Sequence, residues 1–340
     1  MKYYSQPTYR HDYLSIKDRF VDRFPILNDL KALRESLASI PETRDTMTAE
    51  ECYYRFFWDR YLDGTLEAEE IWPGEEIKRL VTLCSGYDSQ SLAFKRLDIP
   101  FEIAAWAEFD PESKRPLEEQ PAPIAHNLLF PRWSDRNLGD MTKIDWEAFK
   151  ANYPYDIDLL TYSTPCTDVS SAGLQKGISR DSGTRSSILW YTENAISILM
   201  PKYLLQENVK ALVSKKFMPY FVEWCRLVES YGYNNFYEVM NAKDYSTPQN
   251  RERVFMVSLR KDVGRNRFKF PEAVPLERKL KDVLLTEVDE KYYLDQTKVD
   301  SFVEKNKANI EKGSNFKFAP TDCTDDSDDL GLADVSEHQD

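Results

Sequence analysis

Three short segments hold side chains able to make or break bonds. Cys166 stands in the polar run Ser163-Thr164-Pro165-Cys166-Thr167-Asp168-Val169-Ser170-Ser171, and a reachable thiol in polar surroundings is a nucleophile once ionised. A lone cysteine more often packs as a small apolar residue, but here the polar neighbours favour the nucleophile. About forty residues on, Glu207 follows the apolar run Tyr203-Leu204-Leu205 and Gln206, and precedes Asn208-Val209. Arg251 and Arg253 lie in Pro248-Gln249-Asn250-Arg251-Glu252-Arg253, where guanidinium groups would hold a base edge or a phosphate, or else pair with Glu252 at the surface.

A second set of residues suits a ligand rather than a reaction. The turn Ser85-Gly86-Tyr87-Asp88-Ser89 follows the apolar run Leu80 to Leu83, and small residues there let backbone N–H groups approach a ligand at a helix start. Glu108 ends Glu102 to Ala107 and is followed by Phe109-Asp110, while Asp140 follows Asn137-Leu138-Gly139 at another expected strand end. Carboxylates so placed accept hydrogen bonds from ribose hydroxyls. Each alone is equally a cap or turn residue; together they suggest a nucleoside.

The elements that must position these residues are read from apolar periodicity. Leu80 to Leu83, Glu102 to Ala107, Ile157 to Tyr162, Tyr203 to Gln206 and Val254 to Leu259 are expected strands; Ser89 to Leu97, Ser187 to Leu199 and Met218 to Ser230 are expected helices. Such alternation predicts an α/β fold, a mostly parallel sheet with helices on both faces, whose ligands sit beyond the carboxyl ends of the strands. Residues 1–77 read as a helical extension, with Thr48-Ala49-Glu50-Glu51 a capping start for Cys52 to Leu62. After Arg260 a helix over Leu280 to Glu287, a short strand over Lys291 to Leu294 and a polar helix from Gln296 to Lys312 are expected.

Composition bounds the rest. The 340 residues carry 58 acidic against 45 basic side chains, a formal charge of −13. Residues 321–340 hold seven Asp, one Glu and no Lys or Arg, so −5 remains on the other residues. A DNA site must therefore be a local cluster. There is no membrane-length apolar run and no apolar signal core, and the five cysteines lack a CxxC pair. A cytoplasmic protein with neither a disulfide framework nor a metal centre is expected. The three histidines suggest no Ser/His/Asp centre.

The ordered segments SGYDSQ, AEFD, LGD, TPCTDVSSAG, TRSSILW, QENV and PQNRERVF resemble those of the DNA (cytosine-5) methyltransferase family, of bacterial and phage type. The resemblance implies a Rossmann-like catalytic domain over residues 78–295 that uses S-adenosylmethionine, releases S-adenosylhomocysteine and acts on double-stranded DNA. It implies that Ser85, Gly86, Tyr87, Asp88 and Ser89 face the methionine part of the cofactor, Glu108 the ribose, Phe109 the adenine face, Asp140 and Met141 the adenine edge, and that Ile188 closes the pocket. Cys166 would be the nucleophile and Pro165 would shape its loop. Ser170 and Arg185 would contact the DNA backbone, and Asn208 and Gln249 the substrate side. Glu207 and Arg253 would grip the extruded cytosine, with Arg251 bracing them.

Two departures from the family pattern shape the expectations. Cys84 stands where an aromatic residue is usual, and glycines are usual near Asp88 and Ser89. No Gly-Asn dipeptide occurs anywhere, so the final family motif and an evident target-recognition region are missing. Residues 296–320 would be a remnant or the start of that region and 321–340 an acidic disordered tail. The expectation is a methyltransferase whose target recognition comes from a second subunit or from a segment lost by truncation. The alternative is a non-catalytic, cofactor-binding partner of another methyltransferase.

Overall fold

The computed structural model describes residues 9–37, 46–166, 168–169, 178–180, 182–264, 267–277, 279–285 and 288–311. Its contacts divide the chain into two units, Met1–Val283 and Leu284–Asp340. The first unit is built on a six-stranded sheet of β1 (Lys78–Leu83), β2 (Phe101–Ala107), β3 (Leu159–Tyr162), β4 (Tyr203–Val209), β5 (Tyr233–Asn241) and β6 (Glu252–Arg260), in the order β2-β1-β3-β4-β6-β5. The pairs β1/β2, β1/β3 and β3/β4 are parallel, whereas β6 runs antiparallel to both β4 and β5. This is the mostly parallel, Rossmann-like α/β arrangement expected from the alternating pattern. Strand order reverses between β2 and β3, on either side of β1, and opens the crevice where such sheets bind ligands.

Sequence explains the strand types. Leu80-Val81-Thr82-Leu83 is buried at four successive positions, as in a strand covered on both faces. In β4 burial alternates strictly, so one face stays partly open and Glu207 points away from its buried neighbours Gln206 and Asn208. The polar strand β5, YNNFYEVMN, was not anticipated; it lies at the sheet edge, half-exposed along most of its length. The strand expected before Asp140 is a single parallel bridge between Trp106 and Asn137.

The N-terminal residues form α1 (Tyr13–Asp18), α2 (Leu30–Leu37), α3 (Ala49–Leu62) and α4 (Ala68–Ile71). Thr48 caps α3, its hydroxyl accepting from the Glu51 N–H at 3.1 Å. Eight of the fourteen α3 residues are buried, and they join Leu80, Phe101, Ile103 and Trp106 of the sheet in one aromatic-rich core. Val81, Leu83, Ala104 and Ala105 face a second core on the other side.

The remaining helices of the first unit are α5 (Ser89–Arg96), α6 (Pro121–Leu129), α7 (Trp146–Asn152), α8 (Thr192–Leu199) and α9 (Met218–Ser230). The helix expected from Ser187 begins as a 3₁₀ turn over Arg185–Tyr191, tied by Trp190 Nε1 donating to the Ile178 carbonyl at 2.7 Å. The helix expected from Leu280 is a 3₁₀ turn over Leu280–Val283. In the second unit the expected strand Lys291 to Leu294 is instead a 3₁₀ turn over Glu290–Tyr292, held by Asp289, followed by α10 (Gln296–Glu311). Among the described residues no helix is long and apolar enough to cross a membrane. The acidic tail lies outside the described residues.

A buried carboxylate fastens the helical extension to the sheet domain. Asp98, at φ +54° just beyond α5, is fully buried and accepts from the Arg10 and His11 N–H groups, His11 Nδ1, Tyr13 Oη at 2.5 Å and Trp58 Nε1 at 2.9 Å. Burial pushes the carboxyl up, but the donors from His11, Tyr13, Trp58 and Arg10 outweigh it and hold it below the ordinary aspartate value. A depressed carboxyl contributes stability above its unfolded pKa and loses it as pH falls through the folded one. Asp98→Asn is therefore expected to lower stability at neutral pH by about 2 kcal/mol. The difference from wild type should shrink on acidification, as measured by thermal unfolding from neutral pH to about pH 3.

Candidate active site

The carboxyl ends of β1 and β2 border a cleft of about 620 Å³. After β1 the chain turns through Cys84 at φ +50°, Gly86 at φ +56° and Asp88 at φ +55°. Gly86 suits this turn twice over: its backbone is left-handed, and a Cβ there would meet nothing within 4 Å, which leaves the cleft wall open. Its N–H donates to Glu108 Oε2 at 2.7 Å. Burial, reinforced by Asp110, raises the Glu108 carboxyl above its ordinary value, against the pull of the Gly86 N–H and His126.

Seven of the ten residues expected to hold a cofactor line this one cleft: Gly86, Tyr87, Glu108, Phe109, Asp140, Met141 and Ile188. Burial pushes the Asp140 carboxyl up, but Lys143 and Thr142 outweigh it and hold the group below its usual value. Gln120 to Pro123, at the start of α6, form a wall that the sequence reading missed. The other three residues lie elsewhere. Ser85 is buried, its Oγ without a hydrogen-bond partner among the described residues. Ser89 is exposed in the first turn of α5. Asp88 is fully buried and points inward, because its left-handed backbone makes it the N-cap of α5, accepting from the Ser91 N–H at 3.1 Å.

The thiol segment adjoins the cleft. Pro165 lines it, and Cys166 is half-buried with a free thiol. Asn208 does not face the substrate side. It is buried and donates from Nδ2 to the Thr164 carbonyl at 3.2 Å, fixing the loop ahead of Pro165-Cys166. Behind the thiol a second clasp, absent from the sequence reading, joins Asp168 and Ser186. The Asp168 N–H donates to Ser186 Oγ, and the Ser186 N–H to Asp168 Oδ2, both at 3.1 Å. Its only sequence signal was that each residue lies in a segment already singled out. Ser170 lies outside the described residues.

The spacing Gln249-x-Arg251-x-Arg253 places alternate residues on one side of the chain as it enters β6. Val209 pairs with Arg253 and Glu207 with Phe255, so Glu207 and Arg253 are diagonal neighbours on one face. Arg253 Nε lies 2.9 Å from Glu207 Oε1, and Arg251 Nη2 lies 3.9 Å from the same oxygen. Gln249 is exposed and borders a separate hollow with Lys210, Arg251 and Arg253. Arg185 lines the same cleft, 3.7 Å from Asp110 and 3.2 Å from Glu112, so the expected backbone-binding arginine is engaged by carboxylates here. Among the described residues no group of three or more His, Cys, Asp or Glu could hold a metal ion.

A Rossmann-like sheet thus carries, along one edge, a cleft, a partly exposed thiol at the next strand end and a carboxylate paired with arginine. Residues 78–337 match the family described as C-5 cytosine-specific DNA methylase, and the chain belongs to that family. It is 42% identical over 166 residues to the type II methyltransferase M2.ScrFI of Lactococcus lactis subsp. cremoris, covering 48% of this chain and 44% of that one. It is also 42% identical over 197 residues to the orphan methyltransferase M.SssI of Spiroplasma monobiae, covering 56% and 49%. The chain thus spans about half the length of these curated relatives. Among solved structures, the S. pombe Dnmt2 methyltransferase is similar at 20% identity with a TM-score of 0.47, covering 67% of this chain and 64% of that one.

Three of the thiols other than Cys166 are held in the protonated form. Burial raises Cys52, and pushes Cys84 and Cys225 up to about 12. Since the thiolate is the reactive form, iodoacetamide at neutral pH should alkylate Cys166 roughly tenfold faster than these three. Peptide mass mapping over time checks the order.

Proposed function

We propose that the protein transfers a methyl group from S-adenosylmethionine to C5 of cytosine in double-stranded DNA. The observation that carries this reading is the meeting, at one sheet edge, of the thiol loop on the cleft wall and of Glu207 held at 2.9 Å by Arg253. The cleft residues fit the cofactor. Glu108 offers an acceptor to ribose hydroxyls, Phe109, Met141 and Ile188 offer apolar surface, and Gly86 leaves room beside the turn. When bound, the cofactor supplies an electrophilic methyl group.

Cytosine C5 is too weak a nucleophile to accept that group unaided. The Cys166 thiolate adds to C6, forming an S–C6 bond and moving the ring electron pair to C5, while a proton shared from Glu207 at N3 balances the charge. Arg253 holds the base at O2 as well as orienting Glu207. After transfer, a water molecule takes the C5 proton, the C–H electron pair re-forms the C5–C6 double bond, Cys166 leaves as thiolate, and the N3 proton returns to Glu207. The thiol must reach the ring face, so the base is extruded from the duplex. The helical extension over 1–77 serves the catalytic domain as cover, with the buried Asp98 network as its anchor.

A second subunit supplying target recognition is part of this reading. Its support is the exposed apolar side chains Leu284, Leu285, Tyr292, Tyr293 and Leu294 of the second unit, which an isolated chain gains nothing by presenting to water. The bacterial sources of the two relatives above support a prokaryotic or phage setting, within or alongside restriction and modification.

Two measurements test the reading. Labelled methyl should enter mixed-sequence duplex DNA, and Cys166→Ser should abolish incorporation; a Cys166→Ser protein that still methylates rules out the thiol mechanism. Incorporation by this chain alone would remove the need for a second subunit. Independently, cofactor affinity should weaken as pH falls through the raised Glu108 value, because only the carboxylate accepts from both ribose hydroxyls. Glu108→Gln should bind about tenfold more weakly at neutral pH and lose that pH dependence, as read by calorimetric titration.

A further inference from the structure

The residue that departs from a glycine-rich turn does more than replace one. Asp88 is fully buried, and its carboxylate is engaged on three sides. Oδ1 accepts from the Ser91 N–H; Oδ2 accepts from Ser91 Oγ at 2.8 Å and from Thr82 Oγ1 on β1 at 3.1 Å. The third neighbour is His126 of α6, whose Nε2 lies 3.4 Å from Asp88 Oδ2. His126 is itself fully buried and stacked on Trp106, with ring centroids 3.6 Å apart and planes at 12°. Neither ring nitrogen has a hydrogen-bond partner among the described residues, so Asp88 is the acid that its Nε2 faces.

These two residues join opposite walls of the cleft. Asp88 closes the turn whose Cys84, Gly86 and Tyr87 line one wall, and His126 belongs to the helix whose first residues, Pro121 to Pro123, line the other. The two walls therefore meet at a 3.4 Å approach between fully buried groups, and moving them apart would leave the imidazole inside the protein without its acidic neighbour, which is costly. We propose that the Asp88–His126 pair is a positioning device that sets the width of the cofactor cleft, while touching no cofactor atom itself. The inference rests on the cleft being the S-adenosylmethionine site.

The test is calorimetric titration of S-adenosylhomocysteine into the full chain and its variants. Asp88→Gly keeps the left-handed turn free of strain but removes the carboxylate. His126→Phe keeps the stack on Trp106 but removes the nitrogens, and serves even where Asp88 variants fold poorly. Each should weaken binding about tenfold, and the double variant should be no weaker than the worse single one, as for residues acting as a unit. Leu33→Ala, in the core of the helical extension, should lower the unfolding midpoint without changing affinity. Variants that bind like wild type, or single effects that multiply in the double variant, overturn the pair as a positioning device. Wild-type protein that binds no S-adenosylhomocysteine overturns instead the cofactor reading on which it rests.

Discussion

The parallel pairing of β1 with β2 and β3, and of β3 with β4, is the constraint on which the rest of the site depends. Leu83 pairs with both Ala107 and Tyr162, and Tyr162 pairs with Gln206. Parallel strands bring their carboxyl ends to one edge, so segments far apart in sequence open side by side: the turn at Ser85, the acid at Glu108, the thiol loop at Ser163 and the carboxylate Glu207. Strand β6 enters this sheet in the opposite sense and brings its amino end to the same edge. That reversal makes Arg253 a neighbour of Glu207. A parallel β6 would have carried the arginine to the far side of the sheet.

Helix α5 is held at both ends by a buried aspartate in left-handed backbone. Asp88 at φ +55° caps its start and Asp98 at φ +54° follows its end. Aspartate tolerates this conformation better than most residues because its short side chain finds local hydrogen bonds, yet glycine would adopt it without cost. What glycine lacks is a carboxylate, and both carboxylates are used. Asp88 reaches β1 and α6, whereas Asp98 gathers donors from the helical extension. An eight-residue helix is marginal by itself; here it is a strut between the cofactor turn and the helical extension.

How far the sequence revealed this arrangement depended on whether a residue's task follows from its backbone. Strands β1, β2 and β6 were legible because both faces, or every second position, are apolar. Strand β5 was not, because at the sheet edge it is at least partly exposed at nearly every position, so its burial does not alternate and no apolar period marks it. Within the site, the glutamate of Glu-Asn-Val and the arginines of Gln-x-Arg-x-Arg were marked by their place at strand ends, and their pairing was implied by the family resemblance. Asn208 was read one step too far: the period of a strand turns it inward, to the loop before Cys166, when its neighbour Glu207 turns outward. Asp88 was misread for a related reason, since the direction of its side chain is set by a positive φ that the letters Asp-Ser do not announce. His126 was passed over because a lone histidine carries no spacing signal, and its meaning comes only from α6 packing beside Asp88.

Net charge misleads for this chain because the signs are sorted locally. Glu108, Asp110 and Asp140 line the cleft, where Arg185 pairs with Asp110 and Lys143 with Asp140. Lys210, Arg251 and Arg253 gather beside Glu207 and around the neighbouring hollow. Pro165 borders the acidic cleft and Cys166 follows it directly, so the thiol loop lies where the acidic cleft ends. An acidic cleft favours a cationic ligand over a neutral one, and a basic neighbour favours nucleic acid. The formal −13 of the whole chain records neither preference. What decides the chemistry is that two strand ends carry acids, the arriving antiparallel strand carries arginines, and the thiol loop lies between them.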